Sequence, residues 1–110
     1  MPNDDDTATP LPLAPTLTGR QRQALRGKAH RIDPTVQVGH AGVTAAVLRS
    51  TNESLATHEL IKVRLHDPED KRAAAQALAD GTNSVLCGLV GHTVILYRPD
   101  PEQPRITLDD

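Results

Sequence analysis

The sequence predicts an α/β domain, in which a four-stranded mixed sheet packs against three helices in the order α-β-α-β-α-β-β. Three observations predict this class. Stretches with a helical spacing of apolar residues alternate with short runs of strand-like pattern. The last two strand-like runs are separated only by a tight turn at Gly91 and His92, which predicts a hairpin. A chain of 110 residues is long enough for one domain with its own core and too short for two of ordinary size.

The first helix is predicted to follow Thr18, whose hydroxyl can cap it, and to run to about His30. The residues expected to face the core are Leu17, Ala24, Leu25 and Ala29. Pro34 prevents the helix from continuing. The segment TVQV that follows has the alternation of a short strand, with Val36 and Val38 on one face.

The second helix is predicted from Val43 to His58, and a strict alternation over residues 60–66 predicts the second strand. The apolar side of the helix comprises Val47, Leu48, Thr51 and Leu55. The strand is expected to turn Ile61, Val63 and Leu65 to the core, and Leu60, Lys62, Arg64 and His66 to the other side. That other side is mostly polar and basic.

The segment DPED, residues 67–70, predicts the start of the third helix. Glu69 and Asp70 are expected in its first turn, where the helix dipole favours acids, and Gly81 is expected to end it. The alanine-rich interior favours a helix and allows close packing. The segments SVLCGLVG and HTVILYRP follow as the two strands of the hairpin.

The single cysteine and the single aromatic residue restrict the function classes. With Cys87 alone, the chain can form no intramolecular disulfide and no cysteine-rich zinc site, and we expect Cys87 to be a small core residue. Tyr97 is expected to pack rather than to stack on a base, so the sheet lacks the aromatic platforms of an RRM. The sequence contains no signal peptide and no apolar run of ~18 residues, which favours a cytoplasmic protein without a membrane partner.

Charge and proline content divide the chain into three parts. Residues 1–16 are expected to form a disordered, acidic, proline-rich tail, residues 17–98 the folded domain, and residues 99–110 an acidic C-terminal extension. The whole chain has a net charge of -2, but residues 18–98 hold eleven bases and seven acids. The folded part is therefore mildly basic between acidic ends.

The segment VQVGHAGVTAAVL places a glycine-flanked corner, residues 39–42, between the first strand and the second helix. Such a corner presents the first unpaired N–H groups of the helix, with the positive end of its dipole, to a guest such as phosphate. We expect Gly39 and Gly42 to permit positive φ and a close approach of a sugar-phosphate backbone, as in the GXXG loop of KH domains. The alternative is that the two glycines serve turn geometry alone. His40 could donate to phosphate or simply be solvated.

Basic residues near this corner favour nucleic acid as the guest, because phosphate binding scales with the number of charges neutralised. The candidate residues are Arg20, Arg22, Arg26 and Lys28 of the first helix, Lys62 and Arg64 of the second strand, and Gly39, His40, Ala41 and Gly42 at the corner. Lys62 and Arg64 could equally keep an open sheet face soluble. No paired carboxylates, catalytic triad, phosphate loop or metal-ligand spacing is present, so we predict no enzymatic activity, no cofactor and no metal.

Four segments carry a resemblance to a known family: LTGRQRQALRGKAH, VQVGHAGVT, HELIKVRL and VGHTVILYRP. In this order over residues 17–98 they resemble the CRM-domain family of small bacterial YhbY-like RNA-binding proteins. The resemblance implies a fold similar to the C-terminal domain of translation initiation factor three. It also implies RNA binding through the GxxG loop and an association with precursors of the large ribosomal subunit.

The family's loop falls on residues 39–42, and Thr44 stands at the threonine that follows the loop in many relatives. His40 and Ala41 stand where relatives often carry a lysine or a polar residue, and His92 where a lysine is common. The resemblance therefore implies a monomeric protein that binds structured ribosomal RNA in a large-subunit precursor. The alternative is a protein-interaction module that docks on a ribosomal protein or assembly factor without contacting RNA.

Overall fold

The computed structural model describes residues 14–108, and its seven elements follow the predicted order. They are α1 (Gly19–Ala29), β1 (Val36–Val38), α2 (Ala45–Thr57), β2 (Leu60–Leu65), α3 (Lys71–Thr82), β3 (Val85–Val90) and β4 (Thr93–Tyr97). The predicted α/β class is thereby confirmed. Most of the acidic tail predicted for residues 1–16 lies outside the described residues.

The four strands form one mixed sheet in the order β1-β2-β4-β3. β1 pairs with β2 in parallel, and β4 pairs antiparallel with both β2 and β3. The GHAG loop, residues 39–42, therefore lies at the same end of the sheet as the β2–α3 connection and the β3–β4 turn. The amide of Leu65 donates to the carbonyl oxygen of His92 at 2.8 Å and joins these last two connections.

Helices α2 and α3 cover one face of the sheet and build the larger core. Its buried members are Val36, Val38, Leu55, Ile61, Val63, Leu65, Ala75, Leu78, Ala79, Val94 and Leu96. Every member that the sequence assigned to this face of β1 and β2 is buried there. Apolar side chains of both layers fill the interior between these helices and the sheet.

Helix α1 covers part of the opposite face of the sheet. Its core contains Leu17, Leu25, Ala29, Leu60, Cys87, Ile95 and Tyr97, with Ile106 and Leu108 of the C-terminal segment packed against it. Leu60, which the alternation assigned to the outer side, is 5 % exposed because α1 lies over that end of β2. Cys87 and Tyr97 are packed as predicted.

Helix α1 begins with a capping box between Thr18 and Gln21, in which each side chain accepts from the other residue's backbone N–H. Leu25 and Ala29 are buried, but Ala24 is exposed, so its assignment to the core was wrong. The reason is geometric, since residues four apart share a helix face while adjacent residues differ by about 100°.

Helix α3 begins and ends later than predicted. Asp70 is its N-cap, accepting from the amide of Ala73 at 3.1 Å, so neither predicted acid lies in the first turn. Gly81 does not end the helix, which closes instead at Asn83 in the left-handed conformation with φ 52°. A Cβ at Gly81 would lie 2.7 Å from Cδ2 of Leu48, so this glycine allows α2 to approach α3.

The residues of the HEL and YRP motifs hold the fold together. The Glu59 side chain is 3 % exposed and its carboxylate accepts three backbone N–H groups of the C-terminal segment, those of Asp100, Arg105 and Ile106, at 2.6 to 2.9 Å. Arg98, 6 % exposed, donates to the side chain of Asn52 and to the carbonyl oxygen of Thr82. Glu59 therefore anchors the C-terminal segment, and Arg98 joins α2 to the end of α3, so neither side chain faces solvent.

Candidate nucleic-acid interface

The GHAG loop presents its backbone openly at the end of the sheet. The amide of Gly42 donates to the carbonyl oxygen of Gly39 at 3.0 Å, and Gly42 has φ +77°. No heavy atom lies within 4 Å of the position that a Cβ would occupy at Gly39 or Gly42. Gly39 does not have the positive φ expected of it, so only Gly42 requires glycine for its backbone conformation.

The hydrogen bonds of Thr44 and of the loop amides determine which N–H groups remain available to a ligand. Thr44 is the N-cap of α2, and its hydroxyl accepts from the amide of Val47 at 3.2 Å. The amides of Gly42 and Thr44 are already bonded within the corner. Within residues 14–108, the amides of His40 and Ala41 have no acceptor. These two N–H groups and the start of α2 form the donor set of the corner.

The charge around the loop is unequal on its two sides. A groove of about 580 Å³ separates the loop from the start of α3, and Asp67, Glu69 and Asp70 line it together with His66. On the other side, β2 presents the exposed side chain of Arg64. The acids near α3 would repel an RNA backbone that contacts the loop, and Arg64 would attract it to the sheet.

A row of four residues crosses the part of the sheet that α1 leaves uncovered. The strand register aligns Gln37 with Arg64, Arg64 with Thr93, and Thr93 with Val90. Partners aligned in this way point to the same face. Gln37, Arg64 and Val90 are exposed and Thr93 is half-buried, so this open row connects β1, beside the GHAG loop, to the far edge of the sheet.

The basic residues predicted on α1 do not form one patch. Arg22 and Arg26 are half-buried and donate to backbone carbonyl oxygens, of Leu17 at 2.9 Å and of Cys87 at 2.8 Å respectively. Arg20 is exposed in the first turn of α1. Lys28 lines a separate recess together with Glu59 and with Arg105 and Ile106 of the C-terminal segment.

The structure brings Arg26 together with Lys62 in a second groove, between α1 and the sheet. This α1 groove has a volume of about 390 Å³ and is lined by Arg26, His30, Lys62, Val90, Thr93 and Ile95. Four of these residues were not predicted as site residues. The strand register aligns Thr93 and Val90 with Arg64, and only this register reveals that the three residues share one face of the sheet. The alternation of β4 alone gave no signal for it.

Two further features bear on the class of protein. Among residues 14–108, no cluster of three His, Cys, Asp or Glu side chains is placed to hold a metal ion. No helix in the same range is long and apolar enough to cross a membrane.

The sequence of this chain is similar to those of known proteins. The family model of the CRS1 / YhbY (CRM) domain matches residues 17–98. The chain is 40% identical over 94 residues to the "Probable RNA-binding protein YqeI" of Bacillus subtilis, which covers 84% of this chain and 98% of the relative. It is 38% identical over 89 residues to an "RNA-binding protein" of Haemophilus influenzae, covering 79% of this chain and 90% of the relative.

A solved structure has the same fold. The solution structure of hypothetical protein SAV1595 from Staphylococcus aureus superimposes with a TM-score of 0.75 and 34% sequence identity. The match covers 86% of this chain and 100% of the other. The arrangement of three helices and a four-stranded mixed sheet is therefore shared with that relative.

Proposed function

We propose, because this chain belongs to the CRS1 / YhbY (CRM) domain family, that it is an RNA-binding protein without enzymatic activity. The relatives in Bacillus subtilis and Haemophilus influenzae are named as RNA-binding proteins. One structural observation carries the proposal. The GHAG loop has an open backbone at the start of α2, and it lies beside the open row, which contains the exposed Arg64.

The loop binds a phosphate through backbone groups. The free amides of His40 and Ala41 and the positive end of the α2 dipole provide the donors, and the missing side chains at Gly39 and Gly42 let the phosphate approach. Thr44 supports this site by starting the helix, and its hydroxyl is engaged with Val47. Arg64 neutralises the next phosphate on the side away from the acidic groove.

We further propose that the RNA is structured ribosomal RNA in a precursor of the large subunit, bound by a cytoplasmic monomer. A backbone-directed site with few base-reading side chains suits RNA that is recognised by its shape. The sheet supports this reading, because Tyr97, the chain's single aromatic residue, is 2 % exposed and offers no platform for stacking.

The test is sedimentation of a cell extract that contains the tagged full chain, at low and high salt, with and without RNase. We expect migration with the large subunit or its precursors that is lost at high salt and after RNase. Gly39→Asp, which places a negative charge at the loop in open space, should move the protein to the top of the gradient. Gly39→Ala is the matched control and should still migrate.

Two results would contradict the proposal. Co-sedimentation that survives RNase would indicate a protein partner, as in the protein-interaction alternative. A protein that stays at the top of the gradient at low salt would remove the ribosomal assignment, and direct binding to purified RNA would then decide whether a smaller RNA is the partner.

A further inference from the structure

The α1 groove combines an exposed apolar surface with positive charge. Val90 is 61 % exposed and is the one large hydrophobic residue so exposed among residues 14–108. It lies at the end of β3, an edge strand of the sheet, and Ile95 continues the apolar floor towards the core. Covering this exposed side chain with a partner is favourable, because apolar area is then removed from water.

The walls of the α1 groove are basic and polar. Arg26 uses one N–H group on the carbonyl oxygen of Cys87 and retains other donors. The side-chain ammonium group of Lys62 makes no hydrogen bond or ion pair within residues 14–108, and His30 and Thr93 complete the walls. No acidic side chain lines this groove. The groove therefore favours an anion that also carries an apolar surface.

We propose that the α1 groove holds one nucleotide of a single-stranded RNA segment. Its base lies on Val90, and its phosphate is bound by Arg26 and Lys62. A nucleotide has both the charge and the flat apolar face that this groove complements, whereas the paired bases of a duplex are not accessible to it. The aliphatic floor takes the place of the aromatic platform that the sheet lacks.

The position of the groove fits the proposed function, on which this inference rests. The open row joins the two sites, since Gln37 adjoins the GHAG loop and Thr93 and Val90 line the groove. Three strand spacings of about 4.8 Å separate the ends of that row. Arg64 lies between them, so one RNA strand can contact the loop and the groove together.

A comparison of two RNA probes tests whether a base occupies the groove. The probes are a ten-nucleotide oligouridylate and a ten-unit ribose-phosphate chain without bases, which carry the same charge. We expect the full-length protein to bind the oligouridylate more tightly. Val90→Ser should weaken that binding roughly three- to tenfold, because it removes apolar contact area, and leave the abasic chain unaffected.

Two further variants complete the experiment. Lys62→Gln should weaken binding of both probes and reduce the dependence of log affinity on log salt by about one. Ala56→Ser, an exposed apolar-to-polar change on α2, is the matched control and should change neither probe.

The outcomes separate this inference from the proposed function. If Val90→Ser weakens both probes equally, or neither, no base lies in the groove and the inference is overturned. Equal affinity of the unaltered protein for the two probes, or no binding of either, overturns it as well. Salt- and RNase-sensitive sedimentation that depends on Gly39 would still support the proposed function in each of these cases.

Discussion

The side chain of Arg26 lies directly over Gly88. A Cβ at Gly88 would stand 2.6 Å from Cδ of Arg26 and 3.0 Å from its Cγ, closer than nonbonded carbon atoms approach. The guanidinium group then donates to the carbonyl oxygen of Cys87 at 2.8 Å. The missing side chain on β3 thus lets Arg26 lie along the sheet, with its charge in the α1 groove.

Replacing Gly88 by alanine should displace Arg26. The new methyl group would meet the middle of the arginine side chain, so we expect a loss of about 1–2 kcal/mol in the free energy of unfolding. RNA affinity should also fall, because Arg26 would leave the groove. Chemical denaturation and RNA titration measure the two effects. The control is Gly27→Ala in α1, the helix that carries Arg26. A Cβ at Gly27 has no neighbour within 4 Å, so this variant should not weaken RNA binding.

The two glycines of the GHAG loop should respond differently to substitution. Gly42 has φ +77°, so Gly42→Ala should cost roughly 1 kcal/mol in the free energy of unfolding, while Gly39→Ala should cost less. Aspartate at either position should reduce RNA affinity by about an order of magnitude through charge repulsion, and asparagine by less. Thermal unfolding and RNA titration of the six variants check this. If the Gly39→Asp variant folds and binds RNA as tightly as the parent protein, the loop is not part of the RNA interface.

The acids beside the loop should oppose RNA binding. Asp67 and Glu69 line the groove between the loop and α3, so Asp67→Asn and Glu69→Gln should raise RNA affinity a few-fold at low salt, with a smaller gain at physiological salt. Asparagine tolerates the left-handed conformation of Asp67, which has φ 53°. RNA titrations at two salt concentrations measure the change. A loss of affinity would mean that these carboxylates contact the RNA directly.

The thiol of Cys87 should remain protonated and unreactive in the folded protein. Burial raises its pKa from 9.0 to about 11, although the charges of Arg26 and Arg22 oppose the rise. The folded state is therefore favoured fully below pH 9, and this contribution is lost as the pH rises towards 11. Between these values the unfolding midpoint of the parent protein should fall more steeply than that of Cys87→Ala. Parallel pH profiles would contradict this account.

The same burial predicts slow reaction of Cys87 with thiol reagents. At pH 8 a disulfide reagent should modify the native protein only as fast as the chain opens, because the thiolate is the reacting species. Labelling should become fast in denaturant. Rapid labelling of the native protein would show that the core between α1 and the sheet opens readily.

Most of the elements could be predicted from local patterns. The alternation over residues 60–66 and the tight turn at Gly91 identified strands, and Thr18 identified the start of α1, because these signals depend only on neighbours in sequence. The end of α3 was missed at Gly81. Its glycine serves a contact with Leu48, which lies 33 positions earlier in the chain and leaves no local signal.

The candidate site divides in the same way. The sequence by itself determined the glycine corner and the supply of basic residues, since a strand-to-helix turn and its unpaired amides are local features. Only the tertiary structure decided which bases share a surface. Strand register aligned Arg64 with Thr93 and Val90, and packing of α1 on the sheet brought Arg26 to Lys62 while leaving Lys28 beside the C-terminal segment. Register and helix packing depend on contacts between residues far apart in the chain, which no local pattern specifies.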